Sequence, residues 1–211
     1  MRENRKIDIQ LYELAAVLRA DELIKENKIE ESLNLVKRAF DLVPRGGFVA
    51  YNLGVTFQQN RKFTEAISAY REALRAKPNF YEALVNLGNA LTEHGEPEEA
   101  IGIYKKARQL DDKDADLPYN MGIAHEDTGQ IDAALRDYQE AVRLNYKHIL
   151  ALFNLARLYI QKGEYRNAVD TLEKAHGSDS NNEEVRGLLN AARGLLEEQE
   201  KAEQQSKSKL D

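Results

Sequence analysis

The chain has 211 residues and no cysteine, and its 30 Lys and Arg stand against 36 Asp and Glu, a net charge of −6 with a pI near 5.4. The absence of cysteine excludes disulfides, thiol nucleophiles and thiolate metal sites. An acidic balance without any Lys/Arg run argues against nucleic acid and anionic membrane as partners. The opening residues, Met1 to Gln10, are polar with no apolar signal segment behind them. No apolar run approaches the length that spans a bilayer, so a soluble, intracellular, cytoplasmic protein is expected.

In chain order, helices are expected near 9–26, 30–42, 47–59, 63–76, 81–94, 97–110, 117–128, 131–144, 149–162 and 165–176, with one more over 182–203. The warrant is a 34-residue step visible in the segments Tyr51–Gly54, Val85–Gly88, Tyr119–Gly122 and Phe153–Ala156. One column holds small residues (Ala20, Gly54, Gly88, Gly122, Ala156), and three positions on another holds large ones (Leu23, Phe57, Leu91, His125, Tyr159). A second set opens small at Ser32, Ala66, Ala100, Ala134 and Ala168 and turns bulky at Val36, Tyr70, Tyr104, Tyr138 and Leu172. Offsets of three and four put each set on one helix face, so every period encodes two amphipathic helices whose apolar stripes need a neighbour. Punctuation agrees. Asn27, Gly95, Gly129 and Gly163 fall where a left-handed C-cap is wanted, Asn60 lies one residue early, and Pro44 and Pro78 follow second helices. Pro118 fits only a first helical turn, so its helix must begin near Asp116 or Leu117. Ser180 to Glu183 reads as a capping box opening the last helix, whose polar outer face would close the array, and 204–211 is expected to be a disordered tail.

These columns resemble the tetratricopeptide repeat, whose pattern runs W-x2-L-G-x2-Y, A-x3-F, P over 34 residues. The best copy is A-Y-N-L-G-V-T-F at Ala50 to Phe57, with A-I-S-A-Y at Ala66 to Tyr70 and Pro78 closing it. The resemblance covers about 13–180. It departs from the pattern in the Trp column (Ala50, Leu84, Pro118, Leu152) and the late Pro column (Asp112, Tyr146, Ser180). It implies an all-α fold, a right-handed superhelical solenoid of antiparallel helix pairs: five repeats, about 13–46, 47–80, 81–114, 115–148 and 149–182, then the capping helix.

No catalytic constellation emerges, and no cofactor is expected. His94, His125, His148 and His176 are too far apart in sequence for an i,i+4 metal pair, and His125 reads as a packed side chain. Asp111 to Asp116 mimics the alternating acids of a calcium loop but lacks the glycine and terminal glutamate. No phosphate loop or nucleophile motif is present. A non-catalytic adaptor is therefore expected.

In the family, first helices line a concave groove that binds peptides, which implies contact by the column Asn52, Asn86, Asn120 and Asn154. Stacked helices lie about 8–10 Å apart and an extended peptide advances about 3.3 Å per residue. One carboxamide, donor and acceptor at once, can therefore meet every third peptide unit or so. Tyr51, Val85, Tyr119 and Phe153 would flank it with apolar or stacking surface, and a purely structural role for the asparagines is the competing explanation. First-turn positions hold Phe48, Glu82 and Asp116 rather than the basic residues of a carboxylate clamp. The acids Asp21, Glu82, Glu93, Asp116, Glu126, Asp127 and Glu184 outnumber Lys25 and Arg157 on the inferred groove face, so a neutral or basic segment is the expected ligand. Two other functions stay open. One is the substrate-recruiting region of a larger enzyme, such as a protein O-linked N-acetylglucosamine transferase, whose asparagine ladder this column resembles. The other is self-assembly through Ile7, Ile9 and Leu11 or the C-terminal helix, which would make a homo-oligomer.

Overall fold

The structure, a computed structural model, describes residues 15–16, 18–42 and 47–207. All regular structure among them is helical. Helix α1 is described over 15–16 and 18–25. There follow α2 (Ile29–Leu42), α3 (Gly47–Gln59), α4 (Phe63–Ala76), α5 (Tyr81–His94), α6 (Pro97–Arg108), α7 (Asp116–Asp127), α8 (Ile131–Leu144), α9 (Ile149–Gln161), α10 (Tyr165–Ser178) and α11 (Glu183–Lys207). The helices form two compact units, residues 1–112 and 113–211. In the first, α3 packs on α4 and α5 on α6, with α4 against α5; in the second, α7 packs on α8, α9 on α10, and α10 on α11.

The first helix of each pair stops by one device. Backbone N–H groups of Lys28, Lys62, Glu96, Gln130 and Glu164 donate back five residues to the carbonyls of Leu23, Phe57, Leu91, His125 and Tyr159, at 2.8 or 2.9 Å. This closure requires a left-handed residue just before the donor. Asn27, Gly95, Gly129 and Gly163 fill that place, and in the remaining copy Arg61 does so at φ 57°. Asn60 therefore does not serve as the left-handed residue of its turn; the neighbouring arginine does. Helix α7 begins at Asp116, which leaves Pro118 in the first turn, where its missing N–H costs no helical bond.

Two differences from expectation lie in α11. Its N-terminal donor is met by Asn182, whose Oδ1 accepts from the Val185 N–H at 3.0 Å, so the cap is not the Ser180 box. The helix also continues to Lys207, past residue 203 and into the stretch expected to be a tail. Ile7, Ile9, Leu11 and residues 208–211 lie outside the described residues.

The small column has a specific cause. A Cβ on Gly54 would stand 2.4 Å from the ring of Tyr70, on Gly88 2.3 Å from Tyr104, and on Gly122 2.5 Å from Tyr138. Each glycine thus makes room for a tyrosine of the following helix, and all three rings are fully buried. Where the small residue is Ala156, the facing residue is Leu172, also buried. Glycine thus pairs with tyrosine and alanine with leucine. Burying each such side chain contributes about 2–3 kcal/mol, and close packing explains why the volumes compensate.

Candidate functional site

The candidate ligand-contacting residues ride on the first helices α3, α5, α7 and α9, each asparagine next in sequence to a residue on the buried side: Leu53, Leu87, Met121 and Leu155.

In the first unit, Asn52 is exposed and Asn86 half-buried, as are Tyr51 and Val85. Asn86 Nδ2 donates to the Tyr51 hydroxyl at 3.2 Å. Burial raises the Tyr51 phenol above its ordinary pKa, with the Glu82 carboxylate adding to the rise, so the hydroxyl is protonated at neutral pH. Behind it the Tyr70 hydroxyl, pushed up by burial, donates to Gln58 Oε1 at 2.8 Å. Tyr51 lies 4.9 Å from Phe80, which stands edge-on to Phe48 at 4.9 Å. The Lys77 ammonium sits over both phenylalanine rings, 4.4 Å from Phe80 and 5.1 Å from Phe48. Phe48 is 56% exposed, so this aromatic step is open to solvent.

In the second unit, Tyr119, Asn120, Phe153 and Asn154 are half-buried. Tyr119 stacks at 4.8 Å on His148, which takes the place of Phe80. His148 is held at both nitrogens. Its Nδ1 accepts from the Ala151 N–H at 3.2 Å and so caps α9, and its Nε2 donates to Asp116 at 3.0 Å. Asn154 Nδ2 donates to the Tyr138 hydroxyl at 3.4 Å, and that hydroxyl donates to Glu126 at 2.7 Å. Burial raises the Tyr138 phenol most, and the Glu126 carboxylate raises it further. Arg157 closes on Glu126 with contacts of 2.5 and 2.7 Å.

The inferred groove cations are therefore committed. Lys25 pairs with Asp21 at 2.5 Å and Arg157 with Glu126. Glu82, Glu93, Asp127 and Glu184 are exposed, and no ion pair forms at any of them among the described residues. Asp116 is exposed at 76% of its side chain even with His148 beside it.

The structure does not bring all the candidates into one bonded set. Asn86 joins Tyr51 and Asn154 joins Tyr138, whereas the amides of Asn52 and Asn120 make no hydrogen bond among the described residues. Sequence reasoning missed Gln58, Tyr70, Lys77, Phe80, Tyr138 and His148. A 68-residue comparison could have found all of these but Lys77, since 58 against 126, 70 against 138 and 80 against 148 hold Gln and Glu, Tyr and Tyr, Phe and His. Deeper in the second unit, His125 Nδ1 donates to Asp137 at 2.5 Å with both residues buried; this is the packed histidine expected at that column, with a carboxylate beside it.

Among the described residues no group of His, Asp and Glu side chains is placed to hold a metal ion, and no helix is long and apolar enough to cross a membrane. The architecture is that of a helix-pair repeat scaffold, a class built for protein interaction. The chain belongs to the tetratricopeptide repeat family, whose profile matches residues 51–115 and 119–183. No curated protein is significantly similar to it in sequence. Among solved structures it is similar to the pilF protein of Pseudomonas aeruginosa, with 20% identity over 93% of this chain and 90% of the other and a TM-score of 0.70. MamA from Desulfovibrio magneticus RS-1 gives 17% identity over 81% and 97%, with a TM-score of 0.68. YrrB, described as a TPR protein with an unusual peptide-binding site, gives 22% identity over 82% and 89%, with a TM-score of 0.65. At such identities the likeness is one of fold.

Proposed function

We propose that this protein is a non-catalytic adaptor that takes extended, neutral or basic segments of partner proteins along the asparagine-bearing faces of its first helices. The observation that supports this is made in each unit separately: in the first, Asn52 and Asn86 stand with Tyr51, Val85 and the exposed acid Glu82, and in the second, Asn120 and Asn154 stand with Tyr119, Phe153 and the exposed acid Asp116. Carboxamides match peptide units in donor and acceptor count, the aromatic and aliphatic neighbours supply contact area, and the acids favour Lys or Arg in the ligand. Arg157 belongs to the second of these sets as the residue that holds Glu126 rather than as a ligand-seeking cation. The likeness to YrrB, a protein described by its peptide-binding site, is in keeping with this use of the fold.

Replacing Asn86 and Asn120 together by Ala is expected to leave circular dichroism and melting cooperativity unchanged while weakening binding of a basic peptide at least tenfold. That binding is expected to fall with added salt. Unchanged affinity in the double variant, or equal affinity for an acidic peptide, would reject the function.

A further inference from the structure

The aromatic step of the first unit already holds a cation. Phe48 stands edge-on to Phe80 with centroids 4.9 Å apart, and Tyr51 lies 4.9 Å from Phe80 in turn, so the rings form a row with Phe80 at its middle. The Lys77 ammonium lies over the two phenylalanines, 4.4 Å from Phe80 and 5.1 Å from Phe48, where the negative ring faces attract a positive charge.

Lys77 is a loose occupant. It is the exposed C-cap residue of α4, and its ammonium makes no hydrogen bond or ion pair among the described residues, so the rings alone hold it. The acid beside the rings is left unused. Glu82, exposed two residues past Phe80, forms no ion pair among the described residues, although its carboxylate is near enough to Tyr51 to help raise that phenol. Phe48 is more than half exposed, so a side chain arriving from solvent can reach the step. A cation brought by a ligand can meet both the rings and the carboxylate, whereas Lys77 meets the rings only.

The second unit has no such place. At the positions 68 residues on, Asp116, Asn145, His148 and Leu150 replace Phe48, Lys77, Phe80 and Glu82.

We infer that Phe48, Phe80 and Glu82 form a seat for one lysine side chain of the docked segment, and that Lys77 occupies this seat in the free protein and competes with the ligand for it. The inference rests on the peptide-docking function proposed above and gives the ligand's basic side chain a place in the first unit. An ammonium is the fitting occupant because the chain's own ammonium shows what the rings accept, and because an acid would be repelled by Glu82.

The test uses the full chain and an acetylated, amidated nonapeptide of alternating lysine and alanine, with affinities read by NMR titration of labelled protein. Lys77→Gln is expected to tighten binding at least threefold, because the competitor is gone. Loss of a positive charge near a basic ligand would also tighten binding, so the gain is measured again with the rings removed. In Phe48→Leu the gain is expected to drop below twofold, and adding Phe80→Leu is expected to abolish it, with circular dichroism checking that each variant is folded. In the wild-type complex, cross-peaks are expected between the lysine ε-protons and the Phe48 ring. Weaker binding in Lys77→Gln would mean that Lys77 itself grips an acceptor on the ligand, and the seat would be overturned. Unchanged affinity, an equal gain without the rings, or no cross-peak to Phe48 would also overturn it, and each of these leaves the docking function standing. If the peptide binds neither the wild type nor Lys77→Gln, both fall together.

Discussion

The two units of this molecule share a frame and differ in what that frame encloses. Positions 68 residues apart are the same where helices touch, at Gly54 and Gly122, Tyr70 and Tyr138, Tyr51 and Tyr119, and also at Asn52 and Asn120. At four other pairs the second unit has a titratable group where the first has none: His125 for Phe57, Glu126 for Gln58, Asp137 for Ala69 and His148 for Phe80. The first unit closes on rings, with Tyr51, Phe80 and Phe48 in sequence. The second closes on directed hydrogen bonds that end in carboxylates. The difference teaches that the repeat prescribes where a side chain stands, while the choice between packing and polarity is left to each copy. Rings make a surface tolerant of what lies on it, whereas a relay that ends in a charge imposes a sense on every bond along it.

The largest effect should come from the buried pair. Asp137→Ala leaves His125 without its carboxylate partner in a dry site, and a loss of about 3 kcal/mol is expected in urea unfolding. Installing the first unit's residues at both places, His125→Phe with Asp137→Ala, is expected to recover most of that loss, since Phe57 and Ala69 show that the frame accepts an apolar pair. A double variant no better than the single would break the equivalence of the two units at this point.

A smaller effect is expected at the glycine and tyrosine contact that both units share. Gly122→Ala places a methyl group 2.5 Å from the Tyr138 ring and should cost about 2 kcal/mol. Adding Tyr138→Leu copies the Ala156 and Leu172 combination and should return at least half of it. Gly54→Ala with Tyr70→Leu is expected to behave alike, because the gap there is 2.4 Å. Additive losses in either unit, measured by the same unfolding curves, would show that ring and glycine are not coupled.

The smallest effect favours the first unit. Arg61 occupies the left-handed position that Gly129 fills in the second. Arg61→Gly removes the strain of a side chain at positive φ and should raise the melting free energy by about 0.5–1 kcal/mol, even after the greater freedom of glycine in the unfolded chain. A loss of stability would mean that the Arg61 contact with the Phe63 ring, at 5.5 Å, outweighs the strain.

Much of the fold was legible because a helix converts spacing into direction. Small and bulky columns three and four residues apart can share a face only in a helix, and a 34-residue return can satisfy both faces only by packing neighbours. The start of α7 followed from Pro118 alone, because proline has no helical place but the first turn. The end of α3 was read less fully: Asn60 lies one residue early in the pattern, and backbone geometry puts Arg61 in the left-handed place. The cap of α11 was misplaced for a similar reason, since Ser180 and Asn182 both fit a capping pattern and a two-residue shift in the turn decides between them. At the candidate site the asparagine column and its neighbours were visible as a repetition, but their bonding was not. Asn154 meets Tyr138 across 16 residues and Tyr138 meets Glu126 across 12, distances at which no local rule pairs side chains.

The amino-acid sequence by itself determined the helices, their faces, and the family to which the chain belongs, because these depend on periodicity and on local backbone preference. Only the tertiary structure decided that each glycine makes room for a particular tyrosine, that Arg157 is spent on Glu126, and that the amide of Asn154 meets the Tyr138 hydroxyl. Those outcomes depend on which polar atoms come within 3 Å or so of one another once the helices are packed, and a hydrogen bond has no direction until both of its ends are in place.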